Sequence, residues 1–332
     1  MEYINTFNTT AEYNAAKSGE TYGRPHVSLV LDNDEIHYEN YDYSQDYLTF
    51  VIKTSGTFDL YPVETANVYY SFDNGETWSA VPSEGGTITV SAGDKLMWKG
   101  TLSNSEGKYW DKEIVEPGVH FDAQGNIMSL VYGDNFKGQT DLTGKALGTV
   151  FSEFEVENAK NLILPATTLE EGCYYAMFSN CTSLATAPVL PATTLANECY
   201  MGMFEYCTSL TTAPELLAIT LASYCYNGMF NYCTSLTTAP ELPATTLANG
   251  CYNYMFEGCS SLNYIKAMFT TTPSTTYTQN WVSGVSATGT FVKNAAAQWN
   301  VSGDNGVPNG WTVETAEENV AAAGGDDPGF GD

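Results

Sequence analysis

The sequence predicts a multi-domain chain: an N-terminal small α+β module, a β-sandwich, and an α/β repeat solenoid of 26-residue coils. Three observations carry this. A pattern of fixed period fills the second half. Short alternating runs bounded by Asn-Gly and Gly-Gly fill the middle. The opening, rich in Tyr, Asn and Asp, differs from both.

Taken in order, residues 1–49 predict a short helix from Thr10 to Ser18, then a hairpin of Val27–Leu31 against Glu35–Tyr38 across Asp32-Asn33-Asp34. Residues 50–126 read as all-β. Val68-Tyr69-Tyr70-Ser71 and Thr77-Trp78 flank Asp73-Asn74-Gly75, and Asn-Gly favours a tight hairpin turn. Gly85-Gly86 precedes Thr87-Ile88-Thr89-Val90, with Leu96-Met97-Trp98-Lys99 beyond, and a small sandwich is the natural solution. Residues 127–163 are expected to cap the first coil. Residues 164–265 hold four coils. Residues 266–313, with Trp281, Phe291, Trp299 and Trp311, are expected to close the far end. Residues 314–332 are acidic and Gly-rich, the composition of a flexible tail.

The four copies read LPATTLEEGCYYAMFSNCTSLATAP, LPATTLANECYMGMFEYCTSLTTAP, LLAITLASYCYNGMFNYCTSLTTAP and LPATTLANGCYNYMFEGCSSL. Cys173, Cys199, Cys225 and Cys251 form one series, and Cys181, Cys207, Cys233 and Cys259 another, both with a period of 26. A fixed period in the twenties marks stacked repeats, because one coil cannot bury its own apolar face. Leu195, Cys199, Met203 and Phe204 recur at three- and four-residue steps, which predicts a short helix in each coil. The stretch from Ser209-Leu210 to Leu216 predicts a strand, and Pro214 ends any helix before it.

Charge excludes some classes of partner. The net charge is −27, with only 12 basic residues, of which Arg24 is the sole arginine. A nucleic-acid partner needs cations to neutralise phosphates, so none is expected. An anionic membrane surface would repel the chain, and no run approaches the roughly 20 apolar residues of a membrane span. The opening MEYINTFNTTAEYNAAKSGE has neither a basic nor an apolar signal region. The expectation is a cytosolic chain or one that leaves the cell by a route needing no signal.

No catalytic constellation is legible, so neither an enzyme nor a cofactor is expected. Cys-x7-Cys is not zinc spacing, and the only histidines, His26, His37 and His120, lie outside the repeats. The cysteines read as small buried apolar residues in reduced ladders, although neighbouring rungs stand close enough to bridge. Glu205 with Glu257, and Glu215 with Glu241, read as solvent-facing columns. Asp32–Glu35 and Ser302–Asn305 read as turns, with calcium binding the sharper alternative. Variation among the copies concentrates near the expected helix, so the candidate binding residues are Tyr175, Tyr206, Tyr224, Tyr232 and Tyr254. A tyrosine joins an aromatic face to a polar tip and could stack on a sugar ring; the competing reading is that these rings shield the core.

The coil CTSLTTAPELPATTLANGCYNYMF resembles the BspA-like leucine-rich repeats of Bacteroidetes surface proteins and of virion proteins from their phages, over about residues 161–265. The lead-in GNIMSLVYGDNFKGQTDLTG and the ending QNWVSGVSATGTFVKNAAAQWNVSGDNGVPNGWTVE are similar to the flanks of such arrays. Leu216-Leu217-Ala218-Ile219 departs from the expected Leu-Pro-Ala-Thr, which predicts a looser bend there. The opening EYINTFNTTAEYNAA and PHVSLVLDNDEIHYEN resembles a short attachment module of phage virion proteins. The resemblance implies a leucine-rich-repeat solenoid on a virion fibre or decoration. It implies other virion proteins as partners through the N-terminal module and host surface glycan or protein through the repeats. It also implies a homo-oligomer, a trimer by analogy. A bacterial surface adhesin is the alternative. Ser71-Phe72-Asp73-Asn74-Gly75-Glu76-Thr77-Trp78 is similar to the Asp-box hairpin of sialidases, but a single arginine cannot supply a sialidase's carboxylate clamp, so a structural hairpin is expected.

Overall fold

A computed structural model describes the strands at residues 3–7, 26–30 and 35–39, together with residues 42–60, 67–102 and 118–316. Strands β1 (Tyr3–Phe7), β2 (His26–Val30) and β3 (Glu35–Glu39) form one sheet, with β1 parallel and β3 antiparallel to β2. The hairpin read between residues 27 and 38 is thus β2–β3, with Leu29 opposite Ile36. The helix expected at residues 10–18 and the tail beyond residue 316 lie outside the described residues.

The middle of the chain forms strands where side chains alternate. Leu48–Ile52 (β4), Val68–Ser71 (β6), Ser79–Ala80 (β7), Lys95–Gly100 (β9), Phe121–Asn126 (β10) and Val156–Asn158 (β11) join in the order β11-β10-β4-β9-β6-β7. Leu162–Ile163 (β12) also pairs with β10. Along β9, Leu96 and Trp98 are buried between partly exposed neighbours, the period-2 signature of a sheet with one covered face. A two-stranded ribbon, Gly56–Leu60 (β5) with Gly86–Val90 (β8), completes this region. Phe58 of the ribbon packs 6.1 Å from Phe50 and 5.9 Å from Phe121 of the sheet, centroid to centroid.

The α/β leucine-rich-repeat solenoid expected from the repeats is not what the structure holds. The regular elements among the described residues are mostly strands in sheets, with one short α-helix, Ser129–Tyr132 (α1), which lies before the repeats. Where a helix was expected in each coil, the chain runs as consecutive turns. Every fourth residue there has a positive φ: Gly172, Ala176 and Asn180 in the first copy, Glu198, Gly202 and Tyr206 in the second, and so on. An α-helix keeps every φ negative, so this strip cannot be one.

Backbone hydrogen bonds explain the strip. Amides of Cys173, Tyr175, Met177, Ser179 and Cys181 donate three residues back, closing local turns. The alternate amides of Gly172, Tyr174, Ala176, Phe178 and Asn180 donate to carbonyls 25 residues ahead, from Asn197 to Glu205, at 2.7–3.0 Å. Half of the amides are satisfied within the copy and half by the next copy. A lone copy would leave the second half unpaired, and burying unpaired amides is strongly unfavourable.

The expected strand of each copy shrinks to single parallel bridges, Asn158 to Thr186 and Thr186 to Thr212. A full parallel sheet returns only at the end, through β13 (Tyr264–Ala267), β14 (Thr290–Lys293) and β15 (Thr312–Thr315).

The core is continuous from Leu48 to Trp311. Phe151, Phe178, Phe204, Phe230 and Phe256 stack in one column with centroids 5.0–5.8 Å apart. Tyr174, Tyr200, Tyr226 and Tyr252 form a second column. Phe50 of the β region lies 5.8 Å from Phe151 and joins the two halves. Trp281 closes the far end against Tyr252 and Phe256.

Candidate functional site

The turn strip decides where the candidate tyrosines point. Tyr206, Tyr224, Tyr232 and Tyr254 occupy its left-handed positions, with φ of 59°, 55°, 56° and 57°. The equivalent positions in the other copies hold glycine at Gly172, Gly202, Gly228, Gly250 and Gly258, and Ala176, Asn180 and Glu198 at the rest. A bulky side chain in this region is unfavourable by about 1–2 kcal/mol. Tyr175 is different: it is half-buried, directly before the left-handed Ala176, and its carbonyl accepts from the amide of Thr149 at 2.7 Å.

The structure brings two of the five together. Tyr206 and Tyr232 stack with centroids 4.9 Å apart and ring planes 7° from parallel, and remain 39% and 41% exposed. Tyr232 leans over the next copy, where a Cβ on Gly258 would stand 2.7 Å from its ring. Tyr224 leans the same way, since a Cβ on Gly250 would stand 2.3 Å from its ring, and its hydroxyl oxygen accepts from Asn249 Nδ2 at 3.2 Å. Tyr224 and Tyr254 are half-buried. The exposed aromatic pair ends at Asn180 on one side and Gly258 on the other, by column.

Of the two carboxylate columns, Glu215 and Glu241 are exposed as the repeat pattern implied, and Glu205 and Glu257 are less so. Glu205 and Glu257 are half-buried, and burial raises the Glu205 carboxyl above its ordinary range. Glu241 is exposed and pairs with Lys266 at 3.0 Å. The departure at residues 216–219 buries Leu216 and Ala218 and leaves Leu217 and Ile219 outside, 45% and 70% exposed.

The Asp-box residues close a hairpin between β6 and β7. The Ser71 hydroxyl donates to Asp73 Oδ1 at 2.6 Å, the Thr77 amide donates to the same oxygen at 2.9 Å, and Trp78 Nε1 donates to the Gly75 carbonyl at 3.1 Å. The bonds from Ser71, foremost, and from Thr77 hold the Asp73 carboxyl down at about 2. Asn305 is also employed internally. Its Oδ1 accepts from the Asn280 amide at 2.7 Å and its carbonyl from the Thr278 hydroxyl at 2.8 Å.

All eight cysteines are free and buried. Burial pushes the Cys173, Cys251 and Cys259 thiols up to about 12. Such thiols do not ionise near neutral pH and are poor nucleophiles or metal ligands.

One feature escaped sequence reasoning. A groove of about 500 Å³ is lined by Lys53, Asp122, Glu157, Asn158, Ser183, Ala185, Thr186 and Ser209. Lys53 pairs with Asp122 at 2.8 Å, and His120 Nδ1 stands 3.0 Å from Glu157 Oε1. These residues come from segments over 150 positions apart and share no motif, so no local signal marked them. No helix among the described residues is long and apolar enough to cross a membrane. No family model, no curated protein and no solved structure matches the chain.

Proposed function

We propose that this is a non-catalytic binding protein, carried as a fibre or decoration on a phage virion, whose turn strip contacts the host envelope, its glycans or surrounding mucus. The observation that carries the binding role is the Tyr206–Tyr232 pair: two exposed stacked rings on strained backbone, in a column where Gly258 serves the same geometry without strain. Backbone strain of this kind tends to be retained where it serves a function. The resemblance of the opening and the repeats supports the virion assignment. On this reading the first 49 residues attach to other virion proteins, and the protein acts as a homo-oligomer, a trimer by analogy.

The test is quantitative proteomics of gradient-purified particles from the source culture. Co-purification at a fixed copy number per particle supports the virion role, and that number separates head from tail. Presence on the bacterial envelope and absence from particles would replace it with a bacterial adhesin.

A further inference from the structure

The groove beside β4 and β10 shares no lining residue with the tyrosine pair. Its floor is made by side chains on successive parallel rungs, Asn158 and Thr186, with Ser183 and Ser209 contributed by two successive copies. Parallel rungs lie about 4.8 Å apart, so the floor steps along the ladder at close to the length of one hexose ring. Its wall is charged: Lys53 and Asp122 on one side, with Glu157 reaching His120.

The volume falls within the usual range of small-ligand sites, but the lining does not. Such sites are mostly apolar, and here Ala185 is the sole apolar residue among those lining the groove. An apolar ligand would desolvate this lining and return nothing. An anionic ligand meets two carboxylates against one lysine, in a chain of net charge −27. What suits the lining is a ligand that is neutral and dense in hydroxyls. Carboxylates accept from hydroxyls, lysine donates to them, and Asn and Ser do both. Small Ser, Thr and Ala side chains on the floor let a ring approach the ladder closely.

We propose that this groove binds a neutral oligosaccharide, with Asp122 and Glu157 accepting from sugar hydroxyls, Lys53 and Asn158 donating, and Ser183 and Ser209 forming the floor. This site goes beyond the tyrosine face and does not depend on where the protein is carried.

The experiment screens the full chain on an array of neutral and sialylated oligosaccharides, then titrates the best neutral probe by calorimetry. Three variants are compared with the unaltered chain: Asp122→Asn, Ser209→Trp, and the double change Tyr206→Ala with Tyr232→Ala. Ser209→Trp fills the groove and leaves the Lys53–Asp122 pair intact, so it remains informative if Asp122→Asn unfolds the sheet edge. The expected result is binding of neutral glycans, weakened at least tenfold in both groove variants. Binding lost only in the tyrosine variant overturns the groove and leaves the tyrosine face standing. Binding of sialylated probes alone, or of no probe, also overturns the groove, while particle proteomics still decides the virion reading.

Discussion

The thiol of Cys207 donates to the carbonyl oxygen of Phe178, 29 residues earlier, at 3.1 Å. Cys181, Cys233 and Cys259 repeat the contact to Phe151, Phe204 and Phe230 at 2.8–3.0 Å. The column therefore needs a side chain small enough to fit between copies and able to donate a weak hydrogen bond. Cysteine meets both conditions, which explains its recurrence without a disulfide. Cys207→Ala removes the sulfur and the bond, and should lower stability by about 1–2 kcal/mol. The urea midpoint measures this; an unchanged midpoint would show that the thiol is only a spacer.

The thiols also predict alkaline sensitivity. Burial raises Cys173, Cys199, Cys207, Cys225, Cys233, Cys251 and Cys259, and the inner tyrosines Tyr174, Tyr200, Tyr226 and Tyr252. In the unfolded chain a thiol ionises near 8.5. Above that pH the unfolded state binds fewer protons than the folded one, so stability falls as pH rises, by up to about 1.4 kcal/mol per unit for each ionising thiol. Stability from this source is fully present below pH 8.5. Urea midpoints should be level from pH 6.5 to 8 and fall steeply from pH 9 to 11. A level profile through pH 11 would contradict the buried, protonated column.

The repeat itself was legible because Cys, Met, Phe and Leu recur at fixed columns. The backbone between them was not. Cys173, Met177 and Cys181 are spaced by four, and so are Tyr174 and Phe178. A helix of 3.6 residues per turn accepts that spacing over so short a run. The distinguishing signal was glycine at Gly172, Gly202, Gly228, Gly250 and Gly258, all in columns four apart. Tyr206, Tyr224, Tyr232 and Tyr254 in the same columns obscured it, since tyrosine seldom adopts a positive φ. The tyrosines were found through variation among copies, but their pairing depends on lean and exposure, which spacing does not encode. The groove was hidden for a different reason, because its wall and floor meet only when the first copies dock on β10.

Gly258 makes room for Tyr232. At φ 73°, an added Cβ would meet the ring at 2.7 Å as well as carrying left-handed strain. Gly258→Ala should therefore lower stability by about 1–2 kcal/mol. Adding Tyr232→Ala should recover the part due to the ring and leave the part due to φ. A double-mutant cycle by urea unfolding isolates the two. A coupling energy of zero would mean that the ring simply swings away.

The Asp73 carboxyl, held at about 2, predicts acid behaviour of the β6–β7 hairpin. Its folded pKa lies below the unfolded value near 3.9. The stabilisation is thus present above about pH 4 and is lost as the pH falls toward 2. Asp73→Asn should remove this dependence and loosen the packing of Trp78. Trp78 is one of six tryptophans, so two-dimensional NMR of its indole resonance is the suitable readout. No change at Trp78 between pH 5 and pH 2 would show that the Ser71–Asp73–Thr77 bonds do not hold the turn.

The exposed tyrosine pair admits a test that separates a packing role from a binding one. Tyr206→Gly relieves left-handed strain of about 1–2 kcal/mol. It also gives up a stacked contact with Tyr232 worth about 0.5–1.5 kcal/mol. The two terms oppose each other, so stability should move by no more than about 1.5 kcal/mol in either direction. On the binding role proposed above, attachment of the purified protein to host cells should nevertheless fall at least tenfold, because the aromatic surface has gone. Tyr206→Phe should retain most attachment if ring stacking dominates and lose it if the hydroxyl is read. If Tyr206→Gly instead costs more than about 2 kcal/mol and leaves attachment unchanged, the pair is a packing device and the contact surface lies elsewhere on the molecule.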